Sequence, residues 1–595
     1  MSREKKLKPF GEIPESFREL RNKGIFYTDK TAFITYLIEQ DRNICVFTRP
    51  RRFGKTLMLR TLEAFFEYRL DDDGNPIDNR RDFEGLKVMD AGEDVLKEMG
   101  QYPVISISLK GMRNDSFALM LGKLRIELAN ACDAHQYLLT SPKLLEEDRA
   151  KFRQFIAKSE EQDDLEEALS NLCKWIFKAT GRKTVILIDE YDVPLQQAAI
   201  HDIHNPGDKL FDKTVSLVGN FISSGFKSNS YLAYGIIAGC MRVAKESIFT
   251  GMNNPGVITV LDDIPEEFWG FSEDEVKKML AYYELSDWYP RIEQWYDGYE
   301  YSGRKVFNPW SLLNAIRGLV NGLGENAFQP YWGLTSGNDI IDDMIERNPQ
   351  HREALAKLMT GATMTVPVVD NLSYRDLRKN PDAIWSFLLY TGYLKAIKVT
   401  KDEDNMRIAE VAIPNTEVYT IIRNSLQNWW KTIKLRGCDA HTILRALLLG
   451  DVSTANRELR ILLSDSTSAF DYNEVFYHGM LMGLLGNVAT VRSNDEYGEG
   501  RPDIVAVAED VGIILEVKCV TPKALEAEKK NHSEMEEDDI VDWLCDMKLA
   551  EAQKQIIEKK YARGVLRHEP AARSVKAYAV CFCKKWCVMR EVAVE

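Results

Sequence analysis

The stretch that decides the fold is residues 43–70, NICVFTRPRRFGKTLMLRTLEAFFEYRL. Ile44 to Phe47 is a short apolar run suited to a buried strand, and Thr48 to Phe53 is polar and broken by Pro50, as a loop is. From Lys55 onward Leu57, Met58, Thr61, Leu62, Phe65 and Phe66 recur at helical spacing. Strand, loop and helix N-terminus in that order is the setting in which backbone N–H groups and the helix dipole hold a phosphate. The loop ends in Gly54-Lys55-Thr56, the tail of the pattern G-x-x-x-x-G-K-[ST], with Arg49 where the first glycine belongs. Lys55 is expected to reach the β- and γ-phosphates and the Thr56 hydroxyl to ligate Mg²⁺. Arg52, Phe53, Gly54 and Leu57 complete the expected nucleotide contacts. Arg49 lacks the backbone freedom of glycine, so the motif alone leaves open a chance Gly-Lys-Thr at a helix start.

A second stretch narrows that choice. KTVILIDEYDVP, residues 183–194, is a β-branched run ending in carboxylates. Val185 to Ile188 is apolar on both faces, as a central parallel strand is, and Asp189 and Glu190 follow at its carboxyl end, where open α/β sheets place ligands. Asp189 is expected to hold Mg²⁺ through water, and Glu190 to polarise the attacking water. Two further runs, 102–109 and 230–239, extend the sheet. Arg242, just past the second of them, is read either as a γ-phosphate sensor or as a surface ion pair. Arg51 and Arg52 are read as phosphate contacts, as contacts to a neighbouring subunit, or as solvent-exposed.

The C-terminal third carries another constellation in SNDEYGEGRPDIVAVAEDVGIILEVKC, residues 493–519. Two apolar runs around the turn 509–512 predict an antiparallel hairpin. Positions 503 and 516 are equidistant from the 509/510 junction, so Asp503 and Glu516 should face each other about 5 Å apart. Lys518, two residues on from Glu516, shares its face. Two carboxylates and an amine at one point suit a Mg²⁺ ion, with Mn²⁺ as an alternative, held by Asp503 and Glu516 for phosphodiester hydrolysis. An exposed hairpin with an ion pair, or a silent remnant, are the plainer alternatives. Glu474 and Gln555, on flanking helices, are further candidates, the first as a metal ligand and the second as a positioner of substrate or water. His478 reads first as a core histidine and second as a site member.

With both sites placed, the chain resembles a family of predicted bacterial and archaeal AAA-type ATPases with a C-terminal PD-(D/E)XK nuclease-like domain. The resemblance rests on YTDKTAFITYLIE, FTRPRRFGKTLML and ILIDEYDVP at the front, and on RVAKESIFTGMNN, WYDGYEY, NPWSLLN and YTGYL in the middle. At the back it rests on FYHGMLMGLL, EYGEGRPDIV, LEVK and QIIEKKY. It makes Arg49 a family variant of the loop. It also implies Asp503, Glu516 and Lys518 as the nuclease signature, with Glu474 and Gln555 at the helix positions. The acidic 526–542 stretch lengthens the path to Gln555.

The expected fold is α/β in three parts: a P-loop NTPase parallel-sheet domain over 1–260, a mostly helical middle over 261–430, and a PD-(D/E)XK nuclease-like α/β domain over 431–595. In the middle part Ser272 and Glu275 form a capping box, and the aromatic motifs are expected to pack against the ATPase face. ATP and Mg²⁺ are the implied cofactors, and nucleic acid, DNA ahead of RNA, the implied partner. The expected function is an ATP-regulated, metal-dependent nuclease, with a nucleotide-switched scaffold whose nuclease-like domain is silent as the alternative.

Composition sets bounds on this. A formal net charge of −14 offers nucleic acid no global positive field, so any binding groove is local. No apolar run approaches the ~20 residues of a membrane-spanning helix, and the charged start MSREKKLKPF is no secretory signal, so a cytoplasmic protein is expected. The ten cysteines are spread thinly apart from Cys581, Cys583 and Cys587. Without paired metal-ligand spacing these read as buried thiols. A homo-oligomer is left open. The acidic run EMEEDDIVDW (534–543) reads as a solvated insert.

Overall fold

The computed structural model describes residues 16–40, 43–159, 161–205, 207–241, 255–262, 268–301, 304–333, 341, 342, 344, 348–359, 361–369, 372, 380, 382–432, 440–466, 474–486, 488–493, 496–532 and 534–594. The chain divides into two compact units, Met1–Ser336 with Thr365–Glu417, and Gly337–Met364 with Val418–Glu595.

The first unit is built on five strands: β1 (Ile44–Thr48), β2 (Val104–Ser108), β3 (Thr184–Asp189), β4 (Leu232–Gly239) and β5 (Gly256–Ile258). They lie in the order β2-β3-β4-β1-β5 and every pairing is parallel. Parallel strands need crossovers that lay helices on the sheet, which is why all of β3 is buried. Helix α1 (Lys55–Phe66) leaves the loop after β1 and buries Met58, Leu62, Phe65 and Phe66 in a core shared with Phe33, Phe47, Val185 and Leu187. Gly54, at its N-cap, has φ +81°, a conformation L side chains rarely adopt. The expected strands 102–109 and 230–239 are present with trimmed ends.

The middle of the chain is mainly helical, as expected, and adds a small sheet of Phe271–Ser272, Arg304–Phe307 and Tyr299–Tyr301. The Ser272 capping box forms: Ser272 Oγ accepts from the Glu275 amide and Glu275 Oε2 accepts from the Ser272 amide.

The second unit carries a mixed sheet in the order β6 (Thr490–Ser493), β7 (Ile504–Ala508), β8 (Val511–Cys519), β9 (Ser574–Cys583) and β10 (Trp586–Val592). Only the β8–β9 pairing is parallel. Both faces are covered. Ile513, Leu515 and Val517 pack with Tyr477, Leu481 and Leu485 of α2 (Glu474–Leu485). Ile514, Val505 and Ala579 pack with Leu549, Ala552 and Ile556 of α3 (Glu537–Glu558) and with Val565 of α4 (Tyr561–His568).

One local expectation needs correction here. The turn is only Glu509–Asp510, with Glu509 at φ +55°, and Val511 and Gly512 already belong to β8. The acidic run 534–543 is largely exposed, as read, and from Glu537 onward it starts α3, where Glu537, Asp538 and Asp539 in the first turn complement the helix dipole. Cys581, Cys583 and Cys587 are buried thiols, as read. Among the described residues no helix is long and apolar enough to cross a membrane.

Candidate functional site

At the carboxyl ends of β1, β3 and β4 lies a cavity of about 540 Å³, lined among others by Gly54, Lys55, Thr56 and Glu190, with Phe26 and Leu313 on its apolar side. Strand β4 stands between β1 and β3 in the sheet, so the loop and the Asp189-Glu190 pair approach from either side of it. Lys55 is buried, its ammonium donating to the carbonyls of Arg49 (2.9 Å) and Pro50 (3.0 Å). Thr56 Oγ1 donates to Asp189 Oδ2 over 2.6 Å. Burial pushes the Asp189 carboxyl up to about 6, with Glu190's charge adding and Thr56 and Lys55 opposing. Two hard oxygens side by side, Thr56 Oγ1 and Asp189 Oδ2, suit a Mg²⁺ ion. Glu190 sits at φ +51°, and its Oε2 is buried and takes no hydrogen bond among the described residues.

Arg49 explains the missing glycine. Its side chain is 1% exposed, donates to the Thr48 carbonyl over 2.7 Å and lies over the Trp269 ring, so the position is a packed anchor of the loop. The positive φ needed in the loop falls instead at Arg52 (+67°) and Gly54. Arg51 donates to Gln196 over 2.7 Å, and the Arg52 guanidinium stacks 4.4 Å from the Trp310 ring.

The aromatic motifs of the middle region converge on this loop. Tyr299 packs edge-on against Phe53 and donates to the Gly392 carbonyl (2.9 Å). A Cβ on Gly392 would come 2.9 Å from Pro50, and the Trp332 indole donates to the Arg51 carbonyl over 3.2 Å. Sequence reasoning assigned these motifs to packing but could not say which ring meets which loop residue. It also missed Asp192, which lines the cavity. Arg242 lies outside the described residues.

In the second unit the hairpin arithmetic holds. Ile504 pairs with Leu515 and Ala508 with Val511, which sets Asp503 opposite Glu516. Asp503 Oδ2 accepts from the Val517 amide at 2.7 Å, and Lys518 Nζ donates to Glu516 Oε1 at 2.9 Å. The alternation along β8 puts Glu516 and Lys518 on the Ile514 face, which α3 covers. Glu516 is fully buried; burial first, and then Asp503's charge, push its carboxyl up to about 7 against the pull of Lys518. Burial alone would lower Lys518, but Glu516, Asp503 and Glu474 outweigh it and hold the ammonium above its ordinary value. Glu516 Oε2 is buried and takes no hydrogen bond among the described residues. An orphaned anionic oxygen beside a second carboxylate fits a divalent cation.

Glu474 stands at the start of α2, and the strongest charges acting on it are Lys518 and Asp503. Gln555, on α3, donates to Tyr561 Oη over 3.3 Å, and that phenol, which feels the charges of Glu516, Asp503 and Lys518, donates to the Arg501 carbonyl. Gln555 thus reaches the site's edge through Tyr561. His478 bonds the Asp503 carbonyl (2.8 Å) and Ser493 Oγ (3.0 Å), so it holds the backbone beneath the site. Glu551, whose carboxylate feels Lys518, was not anticipated; nothing in its helical spacing marks it.

Residues 13–249 match the family described as predicted AAA-ATPase, and residues 472–592 match the PD-(D/E)XK nuclease superfamily. The chain therefore has an N-terminal AAA-ATPase-like domain and a C-terminal PD-(D/E)XK nuclease superfamily domain. It is 26% identical over 415 residues, 69% of this chain and 68% of the relative, to the uncharacterized protein in the vnfD 5′ region of Azotobacter chroococcum mcd 1. No solved structure matches it.

Proposed function

We propose that this protein binds and hydrolyses ATP in its N-terminal domain and cleaves phosphodiester bonds of nucleic acid in its C-terminal domain, with the nucleotide regulating cleavage. The observation that carries the cleavage reading is the buried Glu516 Oε2, without a hydrogen bond among the described residues, beside Asp503 and Lys518.

In the first site Lys55 exchanges the carbonyls of Arg49 and Pro50 for phosphate oxygens, and the amides at the start of α1 share that charge. Thr56 and Asp189 would hold Mg²⁺, which shields the phosphate charge. Glu190, adjacent to Asp189 at the strand end, orients the attacking water through its free oxygen. In the second site Asp503 and Glu516 would hold Mg²⁺ or Mn²⁺, which supplies an activated water and a Lewis acid when bound. Lys518 leaves Glu516 to orient the water or to neutralise the developing anion.

Regulation has a candidate route within the first unit. The Trp332 indole holds the loop at Arg51, and its amide donates to the buried Glu417 at 2.9 Å. Glu417 is the residue at which the chain leaves that unit. A second reading, a nucleotide-switched binding protein with a silent nuclease-like domain, is favoured by one observation. Among the described residues no group of three or more His, Cys, Asp or Glu side chains is gathered as a metal site.

The test is a panel of end-labelled single- and double-stranded DNA and RNA in Mg²⁺ or Mn²⁺, with and without ATP. Metal-dependent cleavage altered by ATP supports the proposal, and ATP hydrolysis with no cleavage of any substrate supports the second reading.

A further inference from the structure

Three carboxylates stand in DEYD, residues 189–192, and the site described above uses two of them. The third does something different. Asp192 is 2% exposed, and its Oδ2 accepts from two successive backbone amides, Cys240 at 2.9 Å and Met241 at 3.1 Å. These are the residues just past the end of β4. Its neighbour Tyr191, fully buried, donates its phenol to the Met241 carbonyl. The Met241 peptide is therefore held through both its N–H and its C=O by consecutive side chains of the turn after β3.

The phosphate loop holds the adjoining residues Gly239 and Cys240 from the other side. The Arg49 amide donates to the Gly239 carbonyl over 3.1 Å, and Lys55 Nζ lies 3.3 Å from Cys240 Sγ. The fit at Gly239 admits no side chain. A Cβ there would meet Tyr191 at 2.5 Å and Asp192 Oδ1 at 2.8 Å. Gly239–Met241 is thus clamped between the loop that takes the nucleotide and the turn that carries Glu190. Buried carboxylates are costly to keep without a cation, and Lys55 is the cation that acts on Asp192, against the repulsion of Glu190.

We infer that Asp192 is a positioning residue for hydrolysis, which locks the end of β4 and so fixes the distance between Lys55 and Glu190. This rests on the nucleotide-site reading above. A shift of about 1 Å between a bound group and its catalytic partner costs on the order of 100-fold in rate. Binding needs only the loop. Turnover needs the loop and Glu190 held in register.

The experiment measures ATP hydrolysis, nucleotide affinity and melting temperature on the full chain for wild type, Asp192→Ala, Asp192→Asn and Tyr191→Phe. Asp192→Ala should lose about 100-fold in kcat with affinity within about threefold of wild type. Asp192→Asn, which keeps an oxygen acceptor for the two amides, should recover at least about tenfold of that loss. Tyr191→Phe, which removes one hydroxyl and opens no cavity, should lose about fivefold in kcat at unchanged affinity. A folded Asp192→Ala with kcat within threefold of wild type, or one whose loss lies wholly in affinity, overturns the inference. If Asp192→Ala fails to fold, Tyr191→Phe decides: a wild-type kcat overturns it. A wild-type protein that hydrolyses no ATP overturns this inference together with the nucleotide-site reading, whereas an active wild type confines the failure to Asp192.

Discussion

Thr56 Oγ1 and Asp189 Oδ2 lie 2.6 Å apart, joining the first turn of the helix after β1 to the end of β3 across the intervening strand. The contact sets a hydroxyl beside a carboxylate, and it is the geometric link between two motifs far apart in the chain.

Lys55→Ala removes the ammonium that now bridges the Arg49 and Pro50 carbonyls. Titration calorimetry with an ATP analogue should show affinity reduced at least about 30-fold, in the range of a lost charge-assisted phosphate contact. Unchanged affinity would remove the loop from nucleotide binding.

Glu190→Gln keeps the shape of the site and discards the free carboxylate oxygen. Nucleotide affinity should stay within a few-fold, and steady-state hydrolysis should fall by about 100-fold or more. Persistent hydrolysis would assign the water to another residue.

The Glu516 carboxyl, pushed up to about 7 in the folded protein, titrates near 4.3 when unfolded. Between those values the folded state binds more protons, so without divalent cation stability falls as pH rises from about 5 to 7.5. Melting curves of wild type should show this slope, to which the raised carboxyls of Asp189 and Glu417 also contribute; Glu516→Gln should make it shallower, and added Mg²⁺ should offset it at the upper end, because metal replaces the proton. Metal-dependent cleavage should rise through the same window. A flat wild-type profile would contradict the buried state of Glu516.

His478 donates to the Asp503 carbonyl from beneath the site. His478→Ala leaves that part-buried carbonyl without this donor, a cost of about 1 kcal/mol. The melting temperature should drop by several degrees and cleavage should weaken with it. An unchanged melting temperature would make the contact incidental.

Both candidate constellations were legible because they are local arithmetic. The pairing of Asp503 with Glu516 follows from where a short turn centres, even though that turn proved two residues long. The loop motif follows from strand, loop and helix in sequence. The roof of the loop was not legible. Trp310, Trp332, Tyr299 and Gly392 reach it through tertiary packing, and no periodicity tells an aromatic that covers a phosphate loop from one that fills a core. Asp192 was hidden for a related reason: its partners are the backbone amides of Cys240 and Met241, just past β4, which carry no sequence signal.

The most direct test of the central claim is cleavage of the labelled nucleic-acid panel in Mg²⁺ by wild type and by Lys518→Ala, whose ammonium sits 2.9 Å from Glu516. Wild type should cleave, and the variant should lose at least about 100-fold with its fold intact by circular dichroism. Equal cleavage by both proteins, or none by wild type on any substrate, would contradict that claim.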